Sequence, residues 1–279
     1  MFKERIRVLI RGAGEMASGI AHRLFRSGFK GCMAEIPKPM AVRRTVSFCE
    51  AVYEGQIEIE GVKGRLVSLP NEVWEGWGQQ IIPVIVDPEA KIRNEIPFHV
   101  LVDAILAKKN LGTKITDAPL VIGIGPGFAV GEDVHMVIES NRGHNLGRVI
   151  LSGKAEEDTG IPGSIGPYTI ERVLRSPKDG IFHCARKEIG DSVGEREIVA
   201  YVDDEPVIAQ IGGILRGLLK DGLEVMKGTK LGDIDPRGSK EYCFTISDKA
   251  RAIAGGVLEG IMLYFSKGGR DETINRITG

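Results

Sequence analysis

Residues 5–28 read RIRVLIRGAGEMASGIAHRLFRSG. An apolar run of the strand type ends at Gly12 and Gly14, and apolar side chains at helical spacing follow between residues 20 and 25. The glycines allow backbone angles closed to other residues and a close approach to a ligand, while the small Ala17 lets a helix pack tightly on a strand. The free amides and the dipole of that helix favour an anion above the turn.

A second strand and an acidic residue follow this turn at the spacing of a dinucleotide-binding unit. The apolar run 32–34 ends at Glu35, which lies 21 residues beyond Gly14 and is placed to bind a ribose hydroxyl. We predict an α/β fold that begins with a Rossmann-like parallel sheet. The same packing with no nucleotide bound is the alternative. The candidate cofactor-binding residues of this unit are Gly12, Gly14, Glu15, Ala17, Ser18, Gly19 and Glu35.

The composition excludes several classes of protein. A chain of 279 residues predicts two compact units of roughly 100–200 residues each. The formal net charge of −1 provides no global field for nucleic acid or an anionic membrane, so we expect neither as a partner. No apolar run approaches the roughly 20 residues that span a bilayer. Residues 1–5 lead straight into a strand without the apolar core of a secretory signal, which predicts a cytoplasmic protein.

Paired arginines follow the second strand. Arg43 and Arg44 can bind a phosphate or a carboxylate bidentately, and a solvated face with ordinary ion pairs is the alternative. Apolar residues between 42 and 53 predict a short helix closed by Gly55. The arginines could also lower the thiol pKa of Cys49, although a core cysteine is the simpler interpretation. The four cysteines form no C-x-x-C pair, so we expect neither a structural zinc site nor a disulfide framework.

Further strands are predicted downstream. Residues 56–68 alternate apolar and charged side chains, which indicates a half-exposed hairpin. Two apolar runs then end near Asp87 and Asp103, and because ligands bind beyond the carboxyl ends of parallel strands, both aspartates are candidates by position. Strand-capping aspartates without a function are the alternative. A glycine-rich turn at residues 125–131 follows another buried run and is expected to close the crevice from the far side.

A second hairpin is predicted over residues 134–151. Its polar tip carries Arg142 and His144, which we take as candidate contacts to a ligand or to a partner. His135 and Glu139 share a face of one strand but lie about 13 Å apart along it, too far to chelate one metal. We therefore predict no metal site here.

The chain is expected to divide into three parts. Residues 1–165 form the Rossmann-like domain with its hairpin insertion, and the Gly- and Pro-rich stretch 159–167 is the predicted linker. Residues 166–240 show closely spaced short strands that resemble biotinyl- or lipoyl-type barrel-sandwich modules, but no lysine occupies the matching turn at residues 211–213. Residues 241–279 hold a helix that packs back onto the first domain.

Three segments resemble a known family. Residues 12–19, residues 43–55 and the run NRGHNLGRVI at residues 141–150 are similar to the YqeB-type accessory proteins of selenium-dependent molybdenum hydroxylase systems. More distantly, the glycine-rich turn and the Arg-Gly-His hairpin resemble parts of the XdhC and CoxF maturation factors for xanthine and carbon monoxide dehydrogenases. The resemblance covers nearly the whole chain. It implies a part in maturing or inserting a molybdenum cofactor, with a hydroxylase apoenzyme and a sulfur or selenium donor protein as partners, and it assigns no catalytic residue.

Three functions are consistent with the sequence. The first is a maturation factor that holds a molybdopterin dinucleotide over residues 12–19, with Arg43, Arg44, Arg142 and His144 contacting its phosphates or the hydroxylase. The second is an NAD(P)-dependent oxidoreductase, in which Glu35 would favour NAD by repelling a 2′-phosphate. Against this function, Glu15 places a carboxylate near any bound pyrophosphate. The third is a non-catalytic docking protein that keeps a Rossmann scaffold.

Overall fold

The computed structural model describes residues 6–160 and 163–266. The chain forms two compact units. The first holds the described residues up to Pro39, Phe48–Asp158 and those from Ile246 onward; the second holds Met40–Ser47 and the described part of Thr159–Thr245. The short segment 40–47 therefore belongs to the second unit although first-unit residues flank it on both sides. The sequence-based division at residues 165 and 240 did not include this segment.

The first unit is built on one nine-stranded sheet in the order β3-β4-β5-β2-β1-β6-β7-β8-β9. The strands from β4 to β8 in this order run parallel, and β3 and β9 pair antiparallel at the two edges. Their bounds are β1 Arg7–Arg11, β2 Lys30–Glu35, β3 Gln56–Ile59, β4 Val62–Val67, β5 Ile82–Val86, β6 Val100–Asp103, β7 Leu120–Ile124, β8 Met136–Ile138 and β9 Val149–Ile150.

Four helices accompany this sheet: α1 Glu15–Arg26, α2 Ala51–Glu54, α3 Pro70–Gly78 and α4 Asp248–Ser266. α3 packs with the sheet face that carries Leu9 and Cys32, where Trp77 lies in the same buried cluster. α4 packs against α1 and against β7, β8 and β9. A Cβ placed on Gly260 of α4 would lie 3.2 Å from Met136 Sδ, so the glycine lets this helix lie close to the sheet.

The order of the strands reverses beside β1. The chain runs from β1 through α1 to β2 on one side, and later returns to place β6 on the other side of β1. Arg11 at the end of β1 is in register with Asp103 at the end of β6. In open parallel sheets ligands bind beyond the carboxyl ends of the strands at such a reversal. The glycine-rich turn follows Arg11 directly and so lies at this point of the fold.

The second unit consists of two four-stranded antiparallel sheets, ordered β10-β17-β15-β12 and β14-β13-β11-β16. Their aliphatic side chains form one buried cluster, which includes Val42 from the short first segment. The bounds are β10 Val173–Arg175, β11 Gly180–Cys184, β12 Ser192–Val193, β13 Ile198–Val202, β14 Glu205–Ile208, β15 Gly213–Leu218, β16 Glu224–Val225 and β17 Lys230–Asp235.

The structure confirms the α/β class, the antiparallel module and the C-terminal helix. Both predicted hairpins are present, as β3–β4 and β8–β9. The single short helix expected at residues 42–55 is wrong: two 3-10 turns, Arg44–Val46 and Phe48–Glu50, precede a helix of one turn. The segment breaks because its first half lies in one unit and its second half in the other. Within the described residues, no helix combines the length and apolarity needed to cross a bilayer.

Candidate functional site at the glycine-rich turn

The turn after β1 depends on two glycines used in different ways. Gly12 has φ +93°, in the region that favours glycine, and a Cβ there would lie 3.2 Å from the carbonyl oxygen of Ala104 at the end of β6. Its N–H donates to Ala34 O at 2.7 Å. Gly14 has φ −68° and no atom within 4 Å of a Cβ position. Gly12 therefore holds the turn against β6, while Gly14 leaves open space above it.

Gly14 is the N-cap of α1 and provides no side chain to satisfy the helix's first amides. These amides have no intrahelical acceptor in any α-helix, and they carry the positive end of the helix dipole. Gly14 and Glu15 are partly exposed, whereas Met16 and Ala17 are buried. The arrangement can accept an anionic group at the Gly14 end of α1.

Glu35 is bonded to the turn. Its Oε2 accepts a hydrogen bond from Ala13 N–H at 2.7 Å, and its Oε1 accepts one from Ile36 N–H at 2.8 Å. Burial raises the pKa of this carboxyl, and the two amide bonds oppose that rise. The acid predicted to bind a ribose thus lies beside the turn, with a lone pair on each oxygen still available to a hydroxyl.

Two predicted cofactor-binding residues instead hold the turn together from inside. The Ser18 hydroxyl donates to Ala13 O at 2.9 Å and accepts from Phe48 N–H at 2.7 Å, and the residue is fully buried. Gly19 is buried too, and a Cβ there would lie 2.8 Å from the Cβ of Ala250 on α4. Ser18 is therefore a structural bridge, and Gly19 permits close packing of α1 with α4.

A buried polar cluster lies beneath the turn. Arg11 Nη1 binds Asp103 Oδ2 at 3.1 Å and also binds the Thr113 hydroxyl, which donates to the same Asp103 oxygen at 2.6 Å. Arg11, Asp103 and Thr113 are each at least nine-tenths buried. Asp103, a ligand candidate by position, thus pairs with Arg11 and anchors the loop after β6. Asp87, the other candidate, accepts a hydrogen bond from Ile92 N–H at 2.8 Å and so stabilises the loop that follows β5.

Lys249 is a residue of this region that the sequence analysis missed. It is partly buried at the start of α4, next to the Ala250 that contacts Gly19. Burial lowers the pKa of its ammonium group, Arg142 lowers it further, and the carboxylates of Glu15, Glu139 and Asp158 raise it. The positive charge of Lys249 offsets the negative charge of Glu15. Glu15 is the residue at which the turn departs from a dehydrogenase fingerprint. No local motif marks Lys249, because it lies more than 200 residues from the turn in sequence.

The tip of the β8–β9 hairpin lies against the start of α4. Arg142 forms a bidentate ion pair with Asp248, at 2.7 and 3.0 Å. A Cβ on Gly256 would lie 2.1 Å from Gly147 O, so hairpin and helix touch backbone to backbone. His144 is exposed on the tip. Arg142 therefore belongs to the electrostatic environment of Lys249, whereas His144 is exposed to solvent.

Arg43 and Arg44 lie in the second unit. Arg43 is 4% exposed, and its Nη2 donates to Tyr242 O at 2.9 Å and to Thr245 O at 3.4 Å. Arg44 Nε donates to Leu218 O at 2.9 Å. These bonds attach segment 40–47 to the second unit. Both arginines thus have a structural role that their sequence position, close to the end of β2, did not suggest.

Cys49 and the second glycine-rich turn lie within the folded framework of the first unit. Cys49 is 1% exposed, and its N–H donates to Ala13 O at 2.9 Å, so the thiol is a core group under the turn. Gly125, in the second glycine-rich turn, has φ +77° and donates its N–H to Ile138 O. In the described ranges, no three His, Cys, Asp or Glu side chains are grouped so that they could hold a metal ion.

Known proteins offer limited similarity. No known family model matches the chain. It is 48% identical over 261 residues, 94% of its length, to the uncharacterized protein YqeB of Escherichia coli (strain K12), and the chain spans only 48% of that protein. It is 29% identical over 119 residues to glycerol-3-phosphate dehydrogenase (NAD(P)+) of Paramagnetospirillum magneticum, which covers 41% of the chain and 38% of the dehydrogenase.

One solved structure also matches, the product-bound ectoine utilization protein EutE (DoeB) from Ruegeria pomeroyi. It covers 82% of this chain and 84% of its own, at 12% identity and a TM-score of 0.24. That score is too low to indicate a shared fold.

Proposed function

We propose, from the 48% identity that the chain shares with YqeB of Escherichia coli (strain K12) over 94% of its length, that it is an accessory factor for a molybdenum hydroxylase. In this proposal the first unit is a Rossmann-like domain that binds an anionic dinucleotide, a molybdopterin dinucleotide, at the glycine-rich turn. The second unit is a barrel-sandwich-like docking module. The observation that carries the ligand part is the uncapped start of α1 at Gly14, next to the β1–β6 reversal.

The residues present fit a diphosphate linkage. The first amides of α1 would donate to its oxygens, and Gly14 leaves the approach open. Lys249 would supply the positive charge that Glu15 otherwise cancels. Glu35 would accept a hydrogen bond from a ribose hydroxyl while keeping its bond to Ala13. When bound, a molybdopterin dinucleotide supplies the dithiolene sulfurs that ligate molybdenum.

The hydroxylase role rests on the family resemblance rather than on geometry. The run at residues 141–150 forms the hairpin tip, and its exposed His144 is suited to contact a partner protein. A hydroxylase apoenzyme is the proposed partner, with a sulfur or selenium donor protein as a second one. We place both the loading and any modification of the cofactor in the cytoplasm.

An NAD(P)-dependent oxidoreductase is the second candidate. The segment similar to an NAD(P)+-dependent dehydrogenase favours it, and the turn would bind the pyrophosphate of either dinucleotide. In this candidate Glu35 would repel the 2′-phosphate of NADP. A docking protein without any small ligand is the third candidate, and it keeps the same fold.

Isothermal titration calorimetry of the full chain with molybdopterin cytosine dinucleotide, NAD+ and NADP+ separates these functions. We expect micromolar binding of the pterin dinucleotide and weaker or no binding of the other two. Gly14→Ala places a methyl group where nothing now lies within 4 Å, so the variant should fold and bind at least tenfold more weakly. Gly78→Ala, in α3, also meets no atom and is the matched control.

The outcomes differ for each candidate. Tight binding of NAD+ alone would contradict the maturation factor and support the oxidoreductase. No heat with any dinucleotide, together with co-sedimentation with a purified hydroxylase apoenzyme, would support the docking protein. Equal affinities of the Gly14→Ala and Gly78→Ala variants for the pterin dinucleotide would refute the turn as its binding site.

A further inference from the structure

A cavity of about 190 Å³ opens on the flank of α1, away from the Gly14 end. α1 contributes one face to it, since its lining residues are spaced three, four, seven and eight positions beyond Gly19. Arg251 in the first turn of α4 and Ile246, two residues before that helix, complete the wall. The side chains that matter to its chemistry are His22, Arg23, Arg26, Ser27 and Arg251.

The cavity is strongly basic. Three guanidinium groups and one imidazole line it, and Glu60 is the acid beside them. Both oxygens of Glu60 are already used: Oε1 accepts from Ile246 N–H and from Arg251 Nη2, each at 2.7 Å, and Oε2 accepts from the same Nη2 at 2.9 Å. Glu60 therefore balances Arg251 and forms no hydrogen bond or ion pair with Arg23 or Arg26.

Arg23 and Arg26 have no such partner. Across the described part of the chain, no carboxylate or carbonyl oxygen lies within ion-pair or hydrogen-bond distance of either guanidinium group. The two residues are three positions apart on one helix, so their like charges repel each other. The C-terminal end of the α1 dipole offsets part of that repulsion. An anion between the two guanidinium groups would remove the rest.

We propose that this cavity is a second anion site, which binds a compact oxyanion: the phosphoryl group of free phosphate or of a phosphorylated small molecule. Arg23 and Arg26 would each present a planar pair of N–H donors, the geometry that matches phosphate oxygens. The Ser27 hydroxyl adds a neutral donor. Burial lowers the pKa of His22 below its usual value, Glu60 opposes this shift, and Arg26 and Arg251 add to it, so the imidazole is mainly neutral at pH 7.

The size of the cavity sets the class of ligand. The cavity is small, at about 190 Å³, which suits one phosphoryl group and a few bridging waters. Arg23 and Arg26 lie 8 and 11 residues beyond Glu15, which is about 12–16 Å along the helix. The site is thus separate from the dinucleotide site proposed at the other end of α1, and does not depend on it.

Calorimetric titration of the full chain with inorganic phosphate tests the proposal. We expect binding at sub-millimolar phosphate, at least a tenfold loss in the double variant Arg23→Gln/Arg26→Gln, and weakening as salt rises. Arg196→Gln, an exposed arginine of the second unit, is the matched control and should bind as the wild type does. Thermal unfolding of the double variant should stay near that of the wild type, because Arg23 is partly exposed and Arg26 is exposed.

Gly14→Ala separates this site from the turn. Phosphate binding that survives in Gly14→Ala and is lost in the double arginine variant supports the proposal. Binding lost in Gly14→Ala but kept in the double variant would place the anion at the turn and overturn it, as would no heat at millimolar phosphate. Ribose 5-phosphate distinguishes the two sources: tighter binding than free phosphate supports a phosphorylated ligand, and equal or weaker binding supports free phosphate.

Discussion

The carboxylate of Glu35 joins the end of β2 to the amide of Ala13, with 2.7 Å between Oε2 and the amide nitrogen. The turn between β1 and α1 is therefore held by a side chain that lies 22 residues further along the chain. Any ligand that bonds to Glu35 also acts on the turn. The ligand binding proposed at Glu35 would therefore be linked to the conformation of the glycine-rich turn through this carboxylate.

Replacing Glu35 by glutamine should change how stability depends on pH. Burial raises the pKa of Glu35, so the folded state favours the protonated form, and this contribution to stability is lost as the pH rises through the raised pKa. Glutamine cannot ionise. We expect the free energy of unfolding of Glu35→Gln, measured by urea denaturation, to rise relative to that of the wild type as the pH increases above 4.5. A difference that does not vary with pH would contradict the linkage.

Removing the hydroxyl of Ser18 should destabilise the first unit. Ser18→Ala loses the bond to Ala13 O and leaves the buried N–H of Phe48 without an acceptor. An unsatisfied buried donor costs about 1–3 kcal/mol. Chemical denaturation should show a loss of this size, while Ser152→Ala, on an exposed loop, should unfold as the wild type does. A neutral Ser18→Ala would mean that water replaces the hydroxyl.

Two neighbouring glycines of α4 should respond in opposite directions. A Cβ on Gly256 would lie 2.1 Å from Gly147 O, so Gly256→Ala must displace the hairpin. The nearest atom to a Cβ on Gly255 is Arg23 Nη1, at 3.7 Å, an ordinary contact. Alanine there gains about 0.8–1.0 kcal/mol of helix propensity. Melting temperatures should rise for Gly255→Ala and fall for Gly256→Ala; a rise in both would show that α4 and the hairpin are not in close contact.

His99 should make the protein acid-sensitive. It is fully buried, its Nδ1 accepts from Arg7 N–H at 3.0 Å, and burial with the nearby Arg7 lowers its pKa to about 4. The folded state favours the neutral ring, so stability is lost as the pH falls from 6.5 towards 4, by up to about 3 kcal/mol.

His99→Asn keeps an acceptor for Arg7 and cannot titrate in this range. Denaturant titrations at pH 7 and pH 4.5 should therefore show a smaller loss for His99→Asn than for the wild type. His144→Asn, on the exposed hairpin tip, should lose as much stability as the wild type. An unchanged pH slope in His99→Asn would show that other groups cause the acid sensitivity.

Lys249 should contribute to dinucleotide affinity through charge. Lys249→Gln keeps most of the side-chain volume and removes the charge that opposes Glu15. We expect about tenfold weaker binding of the dinucleotide, equivalent to about 1.4 kcal/mol, and a weaker dependence of affinity on salt. Lys227→Gln, exposed in the second unit, is the control for net charge. Equal affinity of both variants would remove Lys249 from the site.

The sequence predicts well where the fold follows from local pattern. The spacing of Gly12, Gly14 and Glu35 correctly placed a turn, a helix and a second strand, because each step uses short-range geometry. The two hairpins were predicted for the same reason: alternating strands with turn residues between them constrain their own pairing.

Side-chain roles were harder to predict because they depend on long-range contacts. Ser18 lies in the expected helix, but its partner Phe48 is 30 residues away. Because of that contact, a residue expected to bind a cofactor has a structural role instead. Arg43 follows β2 in sequence, yet its partners Tyr242 and Thr245 lie some 200 residues downstream. Lys249 reaches the turn only because α4 packs on α1.

The eight-residue segment 40–47 has an evolutionary consequence. Val42 lies in the core of the second unit and its carbonyl accepts a hydrogen bond from Leu218 N–H at 2.8 Å, yet the polypeptide enters and leaves this segment from the first unit. A gene rearrangement that adds or removes residues 159–245 alone would therefore leave Val42 without the core that buries it, so segment 40–47 has to change together with the second unit for this side chain to stay buried.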